Sequence, residues 1–216
     1  MNLKKTLHAL AFCAGVAPAL QAQTGPQLVA LGGYVFGDKW SVEGGDGRFD
    51  GGGNYGGMLN FFVNDNIGFG VMYTINPTFV EARSVYIPVD QLPGNKYDVR
   101  FDANVHFITA GIIRRQMVGN GSVNGALMLG AAVGEISDDR YPSSSETLFA
   151  TGLHLWYDHN ISDKVGIKLM TSLQVPIRDF GAGFSIGTGG VDVGAGGYSD
   201  ILQFGFMGGL NLNLGN

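Results

Sequence analysis

Large apolar residues alternate with small or polar residues along the end of the chain. One face of this segment carries Leu202, Phe204, Phe206, Leu210, Leu212 and Leu214, and the other carries Gln, Gly, Met and Asn. A repeat of two residues predicts a β-strand. Because the opposite face is built from small and polar residues, we expect the large side chains to meet lipid and the small ones to face the axis of a barrel.

Eight segments have strand patterns, and the connections between them alternate in length. The strand candidates are about residues 27–40, 51–63, 67–83, 99–116, 123–136, 146–158, 165–180 and 200–214. Short turns rich in Asn, Gly and Asp alternate with longer segments at 41–50, 84–98, 137–145 and 181–199. The predicted fold class is all-β, an eight-stranded antiparallel transmembrane β-barrel with short periplasmic turns and longer external loops.

Charged residues follow the same alternation in two of the candidates. In segments 99–116 and 165–180 an apolar face opposes a polar one, and we place the apolar face outward because eight strands enclose little more than side chains. This predicts an interior polar network of Arg100, Asp102, His106, Arg114, His154, Asp158, Lys168, Gln174 and Arg178. Asp158 and Lys168 flank the turn at 160–164, so we expect them within diagonal reach of each other.

Most of the methionines have the parity of the predicted interior face. These are Met58, Met72, Met128, Met170 and Met207. A flexible thioether fills irregular gaps, which favours a plugged lumen. The candidate at 27–40 is almost wholly apolar from Leu28 to Phe36 and gives no clear facing.

The N-terminus has the pattern of an export signal. Lys4 and Lys5 precede a mainly apolar run, and Leu20-Gln21-Ala22 offers a cleavage site with small residues. We expect residues 1–22 to be a signal peptide and residues 23–216 to form the barrel domain. The one cysteine, Cys13, lies in the part to be removed.

Composition separates the chain from soluble and nucleic-acid-binding classes. The formal net charge is −5, which argues against nucleic acid as a partner because phosphate binding requires a basic surface. Charged residues are only 14% and glycines number 36, whereas a soluble domain has about 25% charged residues. No stretch after position 22 suits a transmembrane helix, so a membrane interpretation requires a barrel.

Three motifs suggest chemistry, but each lacks its setting. Gly183 to Gly187 has the spacing of a hydrolase nucleophile elbow around Ser185, without the helix that should follow. Gly44 to Asp50 partly resembles a calcium-binding repeat but occurs once, so we expect a flexible acidic loop there. His106 and His154 share predicted interior facing, yet acids are few, and we expect no metal site and no cofactor.

The residues from Tyr55 to Thr74, YGGMLNFFVNDNIGFGVMYT, read as strand, tight turn and strand. They resemble the hairpins of the small outer-membrane β-barrel family typified by the OmpA transmembrane domain, OmpX and OmpW. The resemblance covers the chain after residue 22, but the end, Leu214-Gly215-Asn216, lacks the aromatic residue that finishes many family members.

This resemblance implies a monomer in the outer membrane of a Gram-negative cell. The implied partners are outer-membrane lipid and lipopolysaccharide, the barrel-assembly machinery and an unknown ligand of the external loops, with no nucleic acid. We expect no catalytic residues and a structural or loop-mediated surface-interaction role. The alternatives are a narrow porin-like or OmpW-like conduit for small or apolar solutes and a lipid-modifying enzyme, for which Ser185 is the one candidate nucleophile.

Overall fold

The computed structural model describes residues 24–42, 45–86, 96–138, 141–177, 184–187, 190–193 and 202–215. Its strands are β1 Thr24–Val35, β2 Asp38–Val42, β3 Gly45–Phe49, β4 Gly52–Phe62, β5 Ile67–Tyr86, β6 Lys96–Val118, β7 Gly121–Asp138, β8 Tyr141–Asn160, β9 Val165–Ile177, β10 Phe184–Gly187, β11 Gly190–Val193 and β12 Gln203–Asn213. No helix in these ranges has the length and apolarity needed to span a membrane. The predicted signal peptide, residues 1–22, lies outside the described residues.

Eight of these strands close into an antiparallel barrel. Around the barrel the order is β1, β4, β5, β6, β7, β8, β9 and β12, and β12 pairs back onto β1 from Gln27–Asn213 to Val35–Gly205. The predicted eight-stranded antiparallel barrel is therefore confirmed. The β2–β3 hairpin extends the sheet along the edge of β5, and β10 pairs with β11 in a separate hairpin.

Three tight turns gather at one end of the barrel, which we call the turn end. The Asn64 side-chain oxygen accepts the backbone N–H groups of Asn66 and Ile67, both at 2.9 Å. Gly119 has φ of 58°, in the left-handed region that favours glycine. The Ser162 hydroxyl accepts the N–H of Val165 at 3.1 Å. The opposite end, where the longer connections begin, is the loop end.

Facing follows the predicted alternation on β4, β5, β9 and β12. On β9, Leu169 is 63% exposed while its neighbours Lys168 and Met170 are buried, and on β12 Leu210 is 62% exposed. The five methionines expected inside are all buried in the lumen. The barrel therefore presents an apolar outward band of the kind that meets hydrocarbon.

The predicted facing of β6 is wrong. Phe107 and Ile113 are buried inside the barrel, whereas Ile108 and Ile112 are 53% and 60% exposed on the outside. The charged residues used for the prediction lie near the ends of a 23-residue strand. A tilted strand needs only about 9 to 11 residues to cross a bilayer, so polar side chains at its ends can face outward beyond the apolar band.

The first candidate segment, 27–40, is two elements. β1 ends at Val35, and β2 begins at Asp38 after a two-residue break. Both faces of β1 are apolar because Val29 and Leu31 pack inside while Leu28 points outward. The expected flexible loop from Gly44 to Asp50 is also wrong, since β3 occupies most of it and pairs with both β2 and β5.

The described strands of the barrel fall into two length classes. β5, β6, β7 and β8 run for 18 to 23 residues, while β1, β4, β9 and β12 run for 11 to 13. The shorter set is close to the length that crosses a bilayer, and the longer set exceeds it. We call the part of β5 to β8 that projects at the loop end, together with the β2–β3 hairpin, the raised wall.

Candidate functional site

The structure divides the predicted polar network between the two sides of the barrel. His154, Asp158, Lys168 and Gln174 lie on the inward face and are buried. On the outward face of β6 lie Arg100, Asp102, His106 and Arg114, so their predicted interior position is wrong for the reason given for that strand. Arg178 lies outside the described residues.

A buried ion pair lies in the half of the lumen nearer the turn end. Lys168 Nζ lies 2.8 Å from Asp158 Oδ1, and the two side chains are 0% and 4% exposed. The residues are direct partners in the β8–β9 register, so they meet opposite each other, not diagonally. A buried charge is tolerated only when it is paired, and each of these two groups supplies the counter-charge of the other.

Three neutral side chains complete the surroundings of the Asp158 carboxylate. Trp156 Nε1 donates to Oδ2 at 2.8 Å, Asn124 Nδ2 donates to Oδ2 at 3.1 Å, and Asn211 Nδ2 donates to Oδ1 at 2.6 Å. The ammonium of Lys168 also lies 4.3 Å from the centre of the Trp156 ring. These donors come from β7, β8 and β12, so one carboxylate ties together strands that are distant in sequence.

Sequence analysis missed the donors of this cluster and one further cation. The alternation places Asn124 and Asn211 on the inward faces of their strands, so their burial could be predicted. Their contact with a carboxylate could not, because a neutral amide in a sequence does not indicate an ion site. Arg115 was missed for a different reason. It faces inward, and the wrong facing of β6 assigned that role to its neighbour Arg114.

An apolar layer fills the lumen beside the ion pair. It contains Val29, Leu31, Met58, Phe62, Met72, Ile113, Ala126, Met128, Trp156, Met170 and Met207, all of them buried. Close packing of such side chains leaves few voids as large as a water molecule. The layer therefore plugs the barrel as the methionine pattern predicts.

Polar side chains line the next part of the lumen toward the loop end. His154, Ser172 and Gln174 are buried on β8 and β9, and Gln203 and Asn54 are buried on β12 and β4. All of these groups are neutral amides, a hydroxyl or an imidazole. Asn54 Nδ2 lies 3.8 Å from Met207 Sδ, which joins this polar layer to the apolar one.

A second apolar cluster occupies the inner face of the raised wall. Val105, Phe107, Ala132 and Ala150 are buried there, and Phe49 packs against them from β3. These residues come from β6, β7 and β8, the long strands. The loop-end entrance to the lumen is therefore apolar on the side where the wall is high.

The outer face of the raised wall carries a network of charges. Arg48 Nε lies 3.0 Å from Asp50 Oδ1, and Arg100 reaches Asp50 Oδ2 and Glu81 Oε1, each at 3.5 Å. The Arg100 guanidinium also lies 4.2 Å from the centre of the Phe79 ring. Because Arg48 and Arg100 share Asp50, these charges form one network and not a set of separate pairs.

The two histidines considered for a metal site are separated by the barrel wall. His106 accepts or donates a hydrogen bond with the Tyr73 hydroxyl at 2.9 Å and lies 3.8 Å from Glu135 Oε2, on the outward face, while His154 is inside. The described residues contain no group of three or more potential metal ligands. Ser185 lies within the β10–β11 hairpin opposite Asp192, which is not the strand-to-helix turn of a nucleophile elbow.

Solved structures with a similar architecture place the fold. The chain is similar to Neisserial surface protein A, with a TM-score of 0.55, 13% identity, and coverage of 88% of this chain and 98% of that one. It has the fold of a small outer-membrane β-barrel. The outer membrane protein OprG from Pseudomonas aeruginosa gives a TM-score of 0.56, 11% identity, and coverage of 89% and 97%.

The small outer-membrane barrel fold agrees with the family that the Tyr55 to Thr74 hairpin resembles. No protein-family model matches the chain, and no curated protein sequence does. At these identities the similarity shows the fold alone. What this barrel does must therefore be argued from its own lumen and its own raised wall.

Proposed function

We propose that the chain is a non-enzymatic protein of the outer membrane that acts through its raised wall. In this proposal the turn end faces the periplasm and the loop end faces outward, as short turns and long connections do in such barrels. The observation that carries the proposal is the difference in strand length, because β5 to β8 extend beyond what crossing a bilayer requires.

The side chains of the raised wall support an interaction role. Arg48 and Arg100 have side chains about half exposed although both are held in the charge network. Accessible charges that already form a network are suited to recognising a surface of complementary charge. The plugged lumen supports the same proposal, because it leaves the raised wall as an accessible surface at the loop end.

A complementation experiment tests this function. Cells that lack the protein are given the wild-type chain, a chain in which β2 and β3 (Asp38–Phe49) are replaced by a short turn, or the double lumen variant Asp158→Asn/Lys168→Met. Adhesion to protein-coated and polysaccharide-coated surfaces is measured after electrophoresis without boiling has shown equal folded barrel. We expect the trimmed wall to lose the adhesion and the lumen variant to keep it. Full adhesion by the trimmed chain would refute the proposal.

A second candidate is a conduit for apolar solutes. The cluster of Phe107, Ala132 and Ala150 on the inner face of the wall favours it, because apolar solutes prefer such a surface to water. Ala132→Trp would fill this entrance, and Ala131→Trp, on the neighbouring outward position, is the control. Uptake of an apolar dye that falls only in Ala132→Trp would support the conduit. Equal uptake in both variants would exclude it.

Conductance separates a water-filled pore from both candidates. Because the described lumen is filled by the buried ion pair and the apolar layer, we expect the purified barrel to give no current steps above background in planar bilayers. Discrete steps from the wild-type chain would show that the plug is open in the membrane. Eight strands enclose too little space for an aqueous channel unless the interior is unusually empty.

A further inference from the structure

A cavity of about 300 Å³ lies at the turn end of the lumen, next to the Asp158 carboxylate of the ion pair. Phe62, Arg115, Ser122, Asp158 and Asp163 are among the residues that line it. The cavity is at the small end of the range for ligand sites, which is roughly 300 to 1,000 Å³. A molecule of the size of an amino acid or dipeptide matches it.

Arg115 is the cationic group of this cavity. Its guanidinium carbon lies 3.0 Å from the centre of the buried Phe62 ring, so the planar group is held over an aromatic face. The buried Nε atom has no hydrogen-bond partner among the described residues. The other cation in this half of the lumen, Lys168, is already paired with Asp158. The cavity is thus lined by a guanidinium whose plane is fixed by the ring beneath it.

The charges around Arg115 select the kind of anion. A guanidinium binds a carboxylate with two parallel hydrogen bonds, and stacking on a ring fixes its plane in advance. The Asp158 carboxylate also lines the cavity, but its oxygens already accept from three N–H groups and the Lys168 ammonium. Two carboxylates in the lining would repel a doubly charged phosphate more strongly than a singly charged carboxylate.

We propose that the turn-end cavity binds the carboxylate of a small zwitterion, an amino acid or a short peptide, through Arg115. Asp163 is exposed at the same cavity and receives the ammonium group of the ligand. The Ser122 hydroxyl, which accepts from Asn124 at 2.9 Å, keeps its own proton available for the ligand. The inference goes beyond the role of the raised wall and depends on it only for the assignment of the turn end to the periplasm.

Binding to the folded full barrel in detergent tests the site, with diglycine as the probe and calorimetry as the measurement. Arg115→Met should weaken diglycine binding at least tenfold, and Arg114→Met should leave it unchanged because that side chain faces outward. Glycinamide, which lacks the carboxylate, should not bind. Asp163→Asn should weaken diglycine but leave N-acetylglycine unaffected, since the acetylated probe has no ammonium group.

The outcomes that would overturn the site are equally specific. No binding of diglycine to the wild-type barrel, or equal binding by Arg115→Met, would remove it. Tighter binding of inorganic phosphate than of diglycine would replace the zwitterion with a general anion.

If Arg115→Met does not fold, Arg115→Lys is used, because it keeps the charge and loses the planar fork. That variant should bind several times more weakly, and unchanged affinity would refute the proposal. None of these measurements involves the raised wall. A negative binding result would therefore leave the adhesion proposal standing, and a negative adhesion result would leave the cavity proposal standing.

Discussion

The buried ion pair predicts an unequal response to removal of its two members. In Asp158→Asn the Lys168 ammonium loses its counter-ion and keeps a neutral amide oxygen and the Trp156 ring at 4.3 Å, with its side chain 0% exposed. Leaving a buried charge without its partner costs about 3 to 5 kcal/mol. In Lys168→Met the carboxylate keeps three N–H donors. We therefore expect a smaller loss there, of about 1 to 3 kcal/mol.

The double variant Asp158→Asn/Lys168→Met separates charge from packing. It leaves no charge at the site, so it should be more stable than Asp158→Asn alone. The two single effects should then differ from additivity by roughly 0.5 to 3 kcal/mol, as residues in direct contact do.

The assay is urea unfolding of the barrel in lipid vesicles, with the folded fraction read by electrophoresis without boiling. Tryptophan fluorescence is unsuitable because Trp156 belongs to the site under study. The reasoning is refuted if Lys168→Met is the more damaging single change, or if the double variant is less stable than Asp158→Asn. The first result would mean that the three N–H donors do not sustain the carboxylate on their own. The second would mean that the Lys168 ammonium without its counter-ion is not what makes Asp158→Asn unstable.

Two further predictions concern the wall of the barrel. Leu169→Arg changes a highly exposed outward position of β9 and should lower the free energy of unfolding in vesicles by about 2 to 4 kcal/mol. The control, Leu214→Arg near the turn end, should cost at most about 1 kcal/mol. Equal losses in urea unfolding would contradict the membrane position of the outward band. Gly33→Ala should reduce the folded yield because its Cβ would overlap the Phe206 carbonyl, while Gly208→Ala has no heavy atom nearer than 4.0 Å and should fold normally.

Alternation predicted the facing of β9 and β12 well, because each of these strands is little longer than the bilayer is thick. β9 and β12 are 13 and 11 residues long, and nearly all of each strand lies between lipid and lumen. Every side chain then faces either lipid or lumen, so large apolar residues alternate regularly with small or polar ones. The contact between Asp158 and Lys168 followed from the same regularity, because a tight turn fixes the register of the strands that it joins.

Alternation failed where a strand passes out of the bilayer. On β6 the polar residues Arg100 and Asp102 face outward above the apolar band, while the large residue Phe107 faces inward. Polar residues thus face outward in one part of the strand, and apolar residues face outward in another. A single facing rule for the whole strand therefore predicts the wrong face. Ile108 and Ile112 would have predicted the correct outward face, because they lie in the central part of the strand that meets hydrocarbon.

The site residues were harder to predict than the strands for a related reason. A sequence shows which residues share a face, but the donors around Asp158 come from β7, β8 and β12. Which amide reaches the carboxylate depends on tilt and register summed around the barrel. The stacking of Arg115 on Phe62 likewise joins β6 to β4, which are not neighbours in the sheet.

The two strand lengths distinguish the sides of the barrel within the plane of the membrane. Among the described strands, β5 to β8 extend further than β1, β4, β9 and β12, so the approach to the barrel is not the same from every direction. A long polymer standing away from the surface would first meet β5 to β8. That polymer would therefore have to reach the barrel from the side of β5 to β8, so rotation of the barrel about the membrane normal would affect the rate of encounter.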